Sequence, residues 1–322
     1  MPVPSGRTPQ GGLGRLVAIT VVFALLAPIA SVSVPLAALL LVSRPRTTGE
    51  IVVTVLAAGL SVWWLLQPGD LPDQLLKATV VLATTLFVAS GLWRDASFVH
   101  RGMFALGGAT AGVSALLPIV GSSWSELRWW VEYRSGVAVR EFTGQLGALS
   151  GIGSDAGAEA SRADQIEVMM GTFVRLTADY YPAIMVLVLL GGLALGTAIY
   201  ERVAEHRIGR PLARFRLFRF SEHIGWVAVV SLVALLVPKL AAVKLTAANV
   251  LLVVGALYAL RGLAVAAAGI ALTGAGGFFL WALLAVIFLL MLPVFVGGAI
   301  LVGVLDTGVD FRRRWASPPA GK

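Results

Sequence analysis

Chemistry in this sequence is concentrated in a few polar residues set within apolar stretches. Asn249 and Arg261 interrupt the otherwise apolar run 247–268. Asp306 and Asp310 stand four apart at the end of a second run, with Arg312, Arg313 and Arg314 directly behind them. A charge at the bilayer centre costs at least about 2.5 kcal/mol on insertion scales, so Asn249, Arg261 and Asp306 are candidates for handling a solute or ion. The plainer expectation competes with this one. Arg261 lies near one end of its run and can snorkel or pair. Asp306 and Asp310 share one helix face and, with the arginines, read as an interfacial salt-bridge cluster. As a metal site the two carboxylates lack a third ligand.

A second constellation is the arm 207–220. It interleaves Arg207, Arg210, Arg214, Arg216 and Arg219 with Phe215, Phe218 and Phe220. Arginines at headgroups with rings in the acyl boundary suit an interfacial helix, and these five arginines are candidates for headgroup or partner contact. The alternative is a solvated basic loop.

Other chemistries are excluded or unsupported. The chain has no cysteine, which removes disulfides, thiolate metal sites and cysteine nucleophiles. Its three histidines, His100, His206 and His223, lie in or beside polar connections and form no H-E-x-x-H pair. The Gly-Lys pair that a phosphate loop needs occurs only at the terminal Gly321-Lys322, and Gly151, Gly153 and Gly157 lack the strand–helix setting of a dinucleotide site. We expect no enzyme, no cofactor and no nucleic-acid partner. The formal charge of +8 is expected to face anionic lipid.

The elements that position these residues are membrane helices. Of 322 residues 58% are hydrophobic and 13% charged, against about 25% charged in a soluble domain. Apolar segments lie at about 16–42, 51–66, 75–92, 102–121, 182–200, 223–238, 247–268 and 278–305. The first and last exceed the roughly 20 residues that span the hydrocarbon. Pro28 and Pro35 interrupt the first and Pro293 the last, and each is expected to form a hairpin of short helices, with one strongly tilted, kinked helix as the alternative. The fold expected is an all-α polytopic transmembrane bundle of about 8–10 spans with proline-broken first and last segments.

Charge distribution orients the bundle. Arg44 and Arg46, then Arg94 and Arg101, then six arginines in 201–222 mark three connections on the cytoplasmic side. The connections 67–77 and 122–181 fall outside, the latter with eight acids against five arginines. Lys239 and Lys244 would then also lie outside, against the rule. The segment 122–181 reads as an extracytoplasmic insert of two helices. Ser123 and Glu126 form a capping box, and Trp124, Trp129, Trp130 and Tyr133 form an interfacial aromatic cluster. Residues 144–161 read as a flexible linker, and Ile166, Met169, Met170 and Phe173 share one helix face. The organisation expected is 1–121, an N-terminal bundle; 122–181, the insert; and 182–322, a C-terminal bundle with the basic arm and tail, all in a bacterial cytoplasmic membrane.

The C-terminal half carries a resemblance. Tyr181-Pro182-Ala183 opens a span that ends in Tyr200-Glu201-Arg202, followed by Pro211-Leu212-Ala213-Arg214-Phe215-Arg216-Leu217 and Ser221-Glu222-His223. Leu257-Tyr258-Ala259-Leu260-Arg261-Gly262-Leu263-Ala264 and Gly303-Val304-Leu305-Asp306-Thr307-Gly308-Val309-Asp310-Phe311-Arg312 complete the order. This resembles the YybS-like family of bacterial polytopic membrane proteins, domain of unknown function 2232. The match is close over 181–314 and looser at Val34-Pro35-Leu36. The family usually carries a glutamine where Arg261 stands. It is distantly similar to the substrate-binding subunits of energy-coupling-factor vitamin transporters and to rod-shape membrane proteins. The resemblance implies a fold more than an activity.

Broken spans expose backbone groups that can coordinate solutes, so the leading expectation is a small-molecule transport or binding subunit working with partners. The rival is a non-transporting scaffold for envelope, cell-shape or division assembly, docked through the basic arm and the insert.

Overall fold

The computed structural model describes residues 13–93, 96–150, 156–272 and 291–316, and among them no strand occurs. The helices are α1 (Leu13–Leu26), α2 (Ala30–Ser43), α3 (Thr48–Leu66), α4 (Leu71–Trp93), α5 (Phe98–Ile119), α6 (Trp124–Ser150), α7 (Ala156–Asp179), α8 (Tyr181–Val203), α9 (His223–Leu236), α10 (Lys244–Leu272), α11 (Leu292–Val309) and α12 (Phe311–Ala316). Six described stretches are long and apolar enough to cross a membrane: α3, α4, α5, α8, α10 with the turn before it, and α11. Two shorter apolar helices, α2 and α9, accompany them. This is an all-α polytopic bundle.

The chain forms two compact units, 1–178 with 185–212, and 179–184 with 213–322. In the first, α1 and α2 are separated at Ala27–Ile29, with Pro28 in the break. Pro35 does not interrupt the segment as expected; it is buried inside α2. Proline at 35 removes the N–H that would bond the carbonyl of Ser31. Gly192 of α8 lies directly against that carbonyl, and Gly196, one turn on, packs against Val32 and Pro35. A Gly-x-x-x-Gly face thus brings α8 onto the weakened turn of α2, where close Cα–H···O contacts replace part of what proline took away.

The first unit has two polar ends. At one, Thr47 and Glu50 cap α3 reciprocally, and Glu50 Oε1 accepts from the backbone N–H of Glu205 at 2.8 Å. At the other, Arg134 of α6 pairs with Asp70 at 3.1 Å and Asp73 at 2.8 Å. The connections assigned by charge to one side therefore meet one another: 43–50 meets 201–212, and 67–77 meets the insert.

The insert is two helices, with one correction. α6 runs to Ser150 and α7 begins at Ala156, so the described residues of the proposed linker 144–161 are helical; 151–155 lie outside the described residues. Leu146 and Ala148 are strong helix formers and outweigh the scattered glycine and serine, each of which costs at most about 1 kcal/mol against alanine. Ser123 Oγ accepts from the N–H of Glu126 at 3.3 Å, and Trp129 stacks on Tyr133 at 5.5 Å. Met169 and Phe173 are exposed, while Val174 and Ala178 are buried.

In the second unit α9 and α10 form a hairpin closed by a 3-10 stretch, Pro238–Val243, which holds Lys239. α10 and α11 run in the same direction. Gly255 meets Ile300, Tyr258 meets Gly303 and Arg261 meets Asp306, each pair 45 residues apart. Gly262 and Gly303 sit at the crossing, Gly303 against the Tyr258 carbonyl and Gly262 against that of Ala299. Small residues let the backbones touch. Pro293 occupies the first turn of α11, not the middle of a longer helix, because a missing N–H is free of cost at a helix start. Residues 278–290, where the hairpin's first leg was expected, lie outside the described residues.

Candidate functional site

The crossing of α10 and α11 places Arg261 beside Asp306. Asp306 is 0% exposed, and its Oδ2 accepts from Arg261 Nε at 2.9 Å and from Arg312 Nη2 at 2.7 Å. Arg261 Nη2 also donates to the Asp306 carbonyl at 3.1 Å. Arg261 is 5% and Arg312 9% exposed. One carboxylate between two guanidiniums leaves a buried cluster with a net charge of +1. Asp306 Oδ1 and Arg312 Nε have no hydrogen-bond partner among the described residues.

Local structure explains how Arg312 arrives. α11 ends at Asp310, whose φ of +47° is left-handed and turns the chain at once into α12. That turn sends Arg312 back toward Asp306 rather than onward. Arg312 Nη1 then donates to the carbonyls of Arg216 and Phe218, both at 3.0 Å. The Arg261 guanidinium stands 5.4 Å over the ring of Phe220, which packs edge-on to Tyr258 at 5.1 Å. At the surface Arg219 forks onto both oxygens of Asp310, with side chains 48% and 32% exposed.

This arrangement corrects the reading of the basic arm. Apart from one 3-10 turn at Phe215–Leu217, residues 204–222 are not helical up to the entry into α9. The carbonyls of Arg216 and Phe218 serve Arg312, and those bonds suit an extended strap rather than an α-helix. Of the five arginines only Arg219 joins the cluster's rim; Arg207, Arg210, Arg214 and Arg216 keep exposed side chains. Phe220 is buried, whereas Phe215 is exposed.

Asn249 is not part of the cluster. Its Oδ1 accepts from the N–H of Ala183 at 3.0 Å, and its Nδ2 donates to the carbonyls of Asp179 and Leu245 at 2.9 Å each. It caps the start of α8, where helix N–H groups lack partners.

Three groups in the first unit escaped the sequence reading. Glu50 is buried and accepts from the N–H groups of Arg46, Thr47 and Glu205; the T-x-x-E pattern at 47–50 signalled its cap. Tyr200 is buried, donating to the His206 carbonyl at 3.0 Å and accepting from the N–H of Ile208 at 2.9 Å. Arg101, counted as a loop charge, is 3% exposed within α5. No group of three His, Cys, Asp or Glu side chains suited to a metal ion occurs among the described residues.

A family model described as a predicted membrane protein (DUF2232) matches residues 15–307. No curated protein and no solved structure matches the chain.

Proposed function

The chain belongs to the DUF2232 family of predicted membrane proteins, and we propose that it serves there as the solute-binding subunit of a transport system in a bacterial cytoplasmic membrane. The observation that carries this reading is the polar seam between α2 and α3 in the first unit. Ser33 of α2 and Ser61 of α3 are buried there with Ser61 Oγ donating to Ser33 Oγ at 3.2 Å, and Ser31 and Thr54 are buried elsewhere on the same two helices. Pro35 withholds an N–H from the Ser31 carbonyl beside this seam, and Pro28 breaks the backbone one turn earlier. Interrupted backbone inside a bundle is where transporters gather polar groups for a solute at membrane depth. The kinship to vitamin-transporter substrate-binding subunits that the sequence resemblance implies points the same way. The chain itself is not proposed as an enzyme. A cytoplasmic energising partner would dock on the exposed arginines of the strap.

The test is purification from native membranes, followed by mass spectrometry of co-purifying small molecules. A variant with the seam filled, Ser33→Leu with Ser61→Leu, provides the control. The expected result is a solute enriched with the wild type and lost from a variant of unchanged fold. Identical small-molecule profiles would overturn the reading. The scaffold reading is favoured by one observation, the exposed stripe Val168, Met169, Phe173 and Leu176 on α7. It predicts a stoichiometric envelope protein in the same preparation, released by Met169→Glu with Phe173→Glu.

A further inference from the structure

Arg101 lies in the first turn of α5, and its guanidinium packs among Phe87, Gly91 and Gly209 of the first unit. It stands 4.3 Å over the ring of Phe87, and Nη2 donates to the Phe87 carbonyl at 3.3 Å. Nε has no partner. Among the described residues no carboxylate reaches it within ion-pair distance. A guanidinium carries five N–H donors and a charge that cannot be shed, and a buried charge is normally paired. Asp306 in the second unit holds two arginines, while Arg101 has a single carbonyl.

The chain makes room for this cation, which has no carboxylate partner among the described residues. Gly91 and Gly209 flank it; a Cβ at 91 would run into the guanidinium, and one at 209 would stand 2.5 Å from Nη1. Gly209 also has a φ of +76°, which disfavours any other residue. The segment 204–210 lies over the guanidinium as a cover. It is pinned by Glu205 N–H on Glu50 and by His206 and Ile208 on the Tyr200 hydroxyl. Gly209 of the cover lies against the guanidinium, so lifting the segment would uncover it. Arg207 and Arg210 on the cover are exposed and add positive potential at the rim.

We propose that Arg101 anchors a site for a phosphate-type oxyanion, entered from the polar end of the first unit when segment 204–210 lifts. The planar fork of arginine matches two phosphate oxygens. The phosphate belongs to a lipid headgroup or to a soluble phosphate compound, and the experiment separates the two. The site is independent of the α2–α3 seam and stands or falls apart from the transport reading.

The test uses the full chain in neutral detergent. Thermal unfolding is followed while inorganic phosphate is titrated at constant ionic strength against chloride. Wild type is expected to shift upward and saturate. Arg101→Gln is expected to lose the shift, and Arg101→Lys, which keeps charge but not the fork, to bind about tenfold more weakly. Tyr200→Phe loosens the cover and should lower the phosphate concentration for half-saturation, because a closed population acts as a competitor. The same measurements follow in nanodiscs of phosphatidylcholine, with and without phosphatidate. Phosphatidate that stabilises wild type but not Arg101→Gln, and abolishes the phosphate response, assigns the site to a headgroup. A phosphate response that persists with phosphatidate assigns it to a soluble compound. No stabilisation of wild type by either probe, or equal stabilisation of Arg101→Gln, would overturn the proposal. Should Arg101→Gln fail to fold, an unchanged half-saturation in Tyr200→Phe would overturn it equally.

Discussion

Arg261 and Asp306, 45 residues apart in the chain, meet through Nε and Oδ2 at 2.9 Å, and neither is more than 5% exposed. Removing one side of a buried pair leaves an uncompensated charge, which costs roughly 3–5 kcal/mol. Asp306→Ala strips the partner from two arginines at once and is expected to be the most damaging change in the second unit. Arg261→Ala should cost less, since Arg312 remains on Asp306. The double variant should cost less than the sum of the singles. Unfolding of all three in detergent checks this, and strict additivity would remove the coupling.

Arg219 and Asp310 make a pair of similar geometry with an opposite expectation. The side chains are 48% and 32% exposed, and exposed pairs contribute about 0–1 kcal/mol. Arg219→Ala should therefore change stability by less than about 1 kcal/mol, and the change should shrink in high salt. A loss as large as that of Asp306→Ala would show that the surface fork holds the strap down.

Glycines on α11 separate into two kinds. Gly303 lies against the Tyr258 carbonyl, whereas among the described residues no atom stands within 4 Å of where a Cβ at Gly297 would point. Gly303→Leu should part α10 from α11 and cost about 1–3 kcal/mol or more, as overpacking does. Gly297→Ala should be neutral or stabilising by up to about 1 kcal/mol through helix propensity. Thermal unfolding of both variants tests the crossing; equal effects would mean the helices do not touch there.

Because the chain has no cysteine, single cysteines report sidedness cleanly. Ser97→Cys and Ser221→Cys are expected to label only from the cytoplasm, and Ser125→Cys only from outside. Labelling of position 125 from the cytoplasm would reverse the orientation.

Class, spans and the grouping of connections were legible in the sequence because they depend on one-dimensional quantities. A run of apolar residues must cross or bury itself, and arginine clusters choose a side, whatever the partners are. The meeting of 43–50 with 201–212 and of Asp70 and Asp73 with Arg134 follows from that sorting. Arg261 and Asp306 were legible as candidates for the same reason: charges in apolar runs need an explanation. Their bond needed α10 and α11 to run in parallel at a Gly262–Gly303 crossing, which no periodicity encodes. Arg312 was hidden deeper, because its direction depends on the left-handed turn at Asp310. Local reading erred where tertiary contacts outweigh propensity. Pro35 stays helical because Gly192 and Gly196 of α8 pack against its turn, and residues 213–219 form no α-helix because the carbonyls of Arg216 and Phe218 serve Arg312. Arg101 is the sharpest case. In sequence it is one more loop arginine beside a span; Phe87 and Gly91 on the preceding helix and Gly209, far along the chain, decide that it is buried, since burial is a property of what packs around a residue.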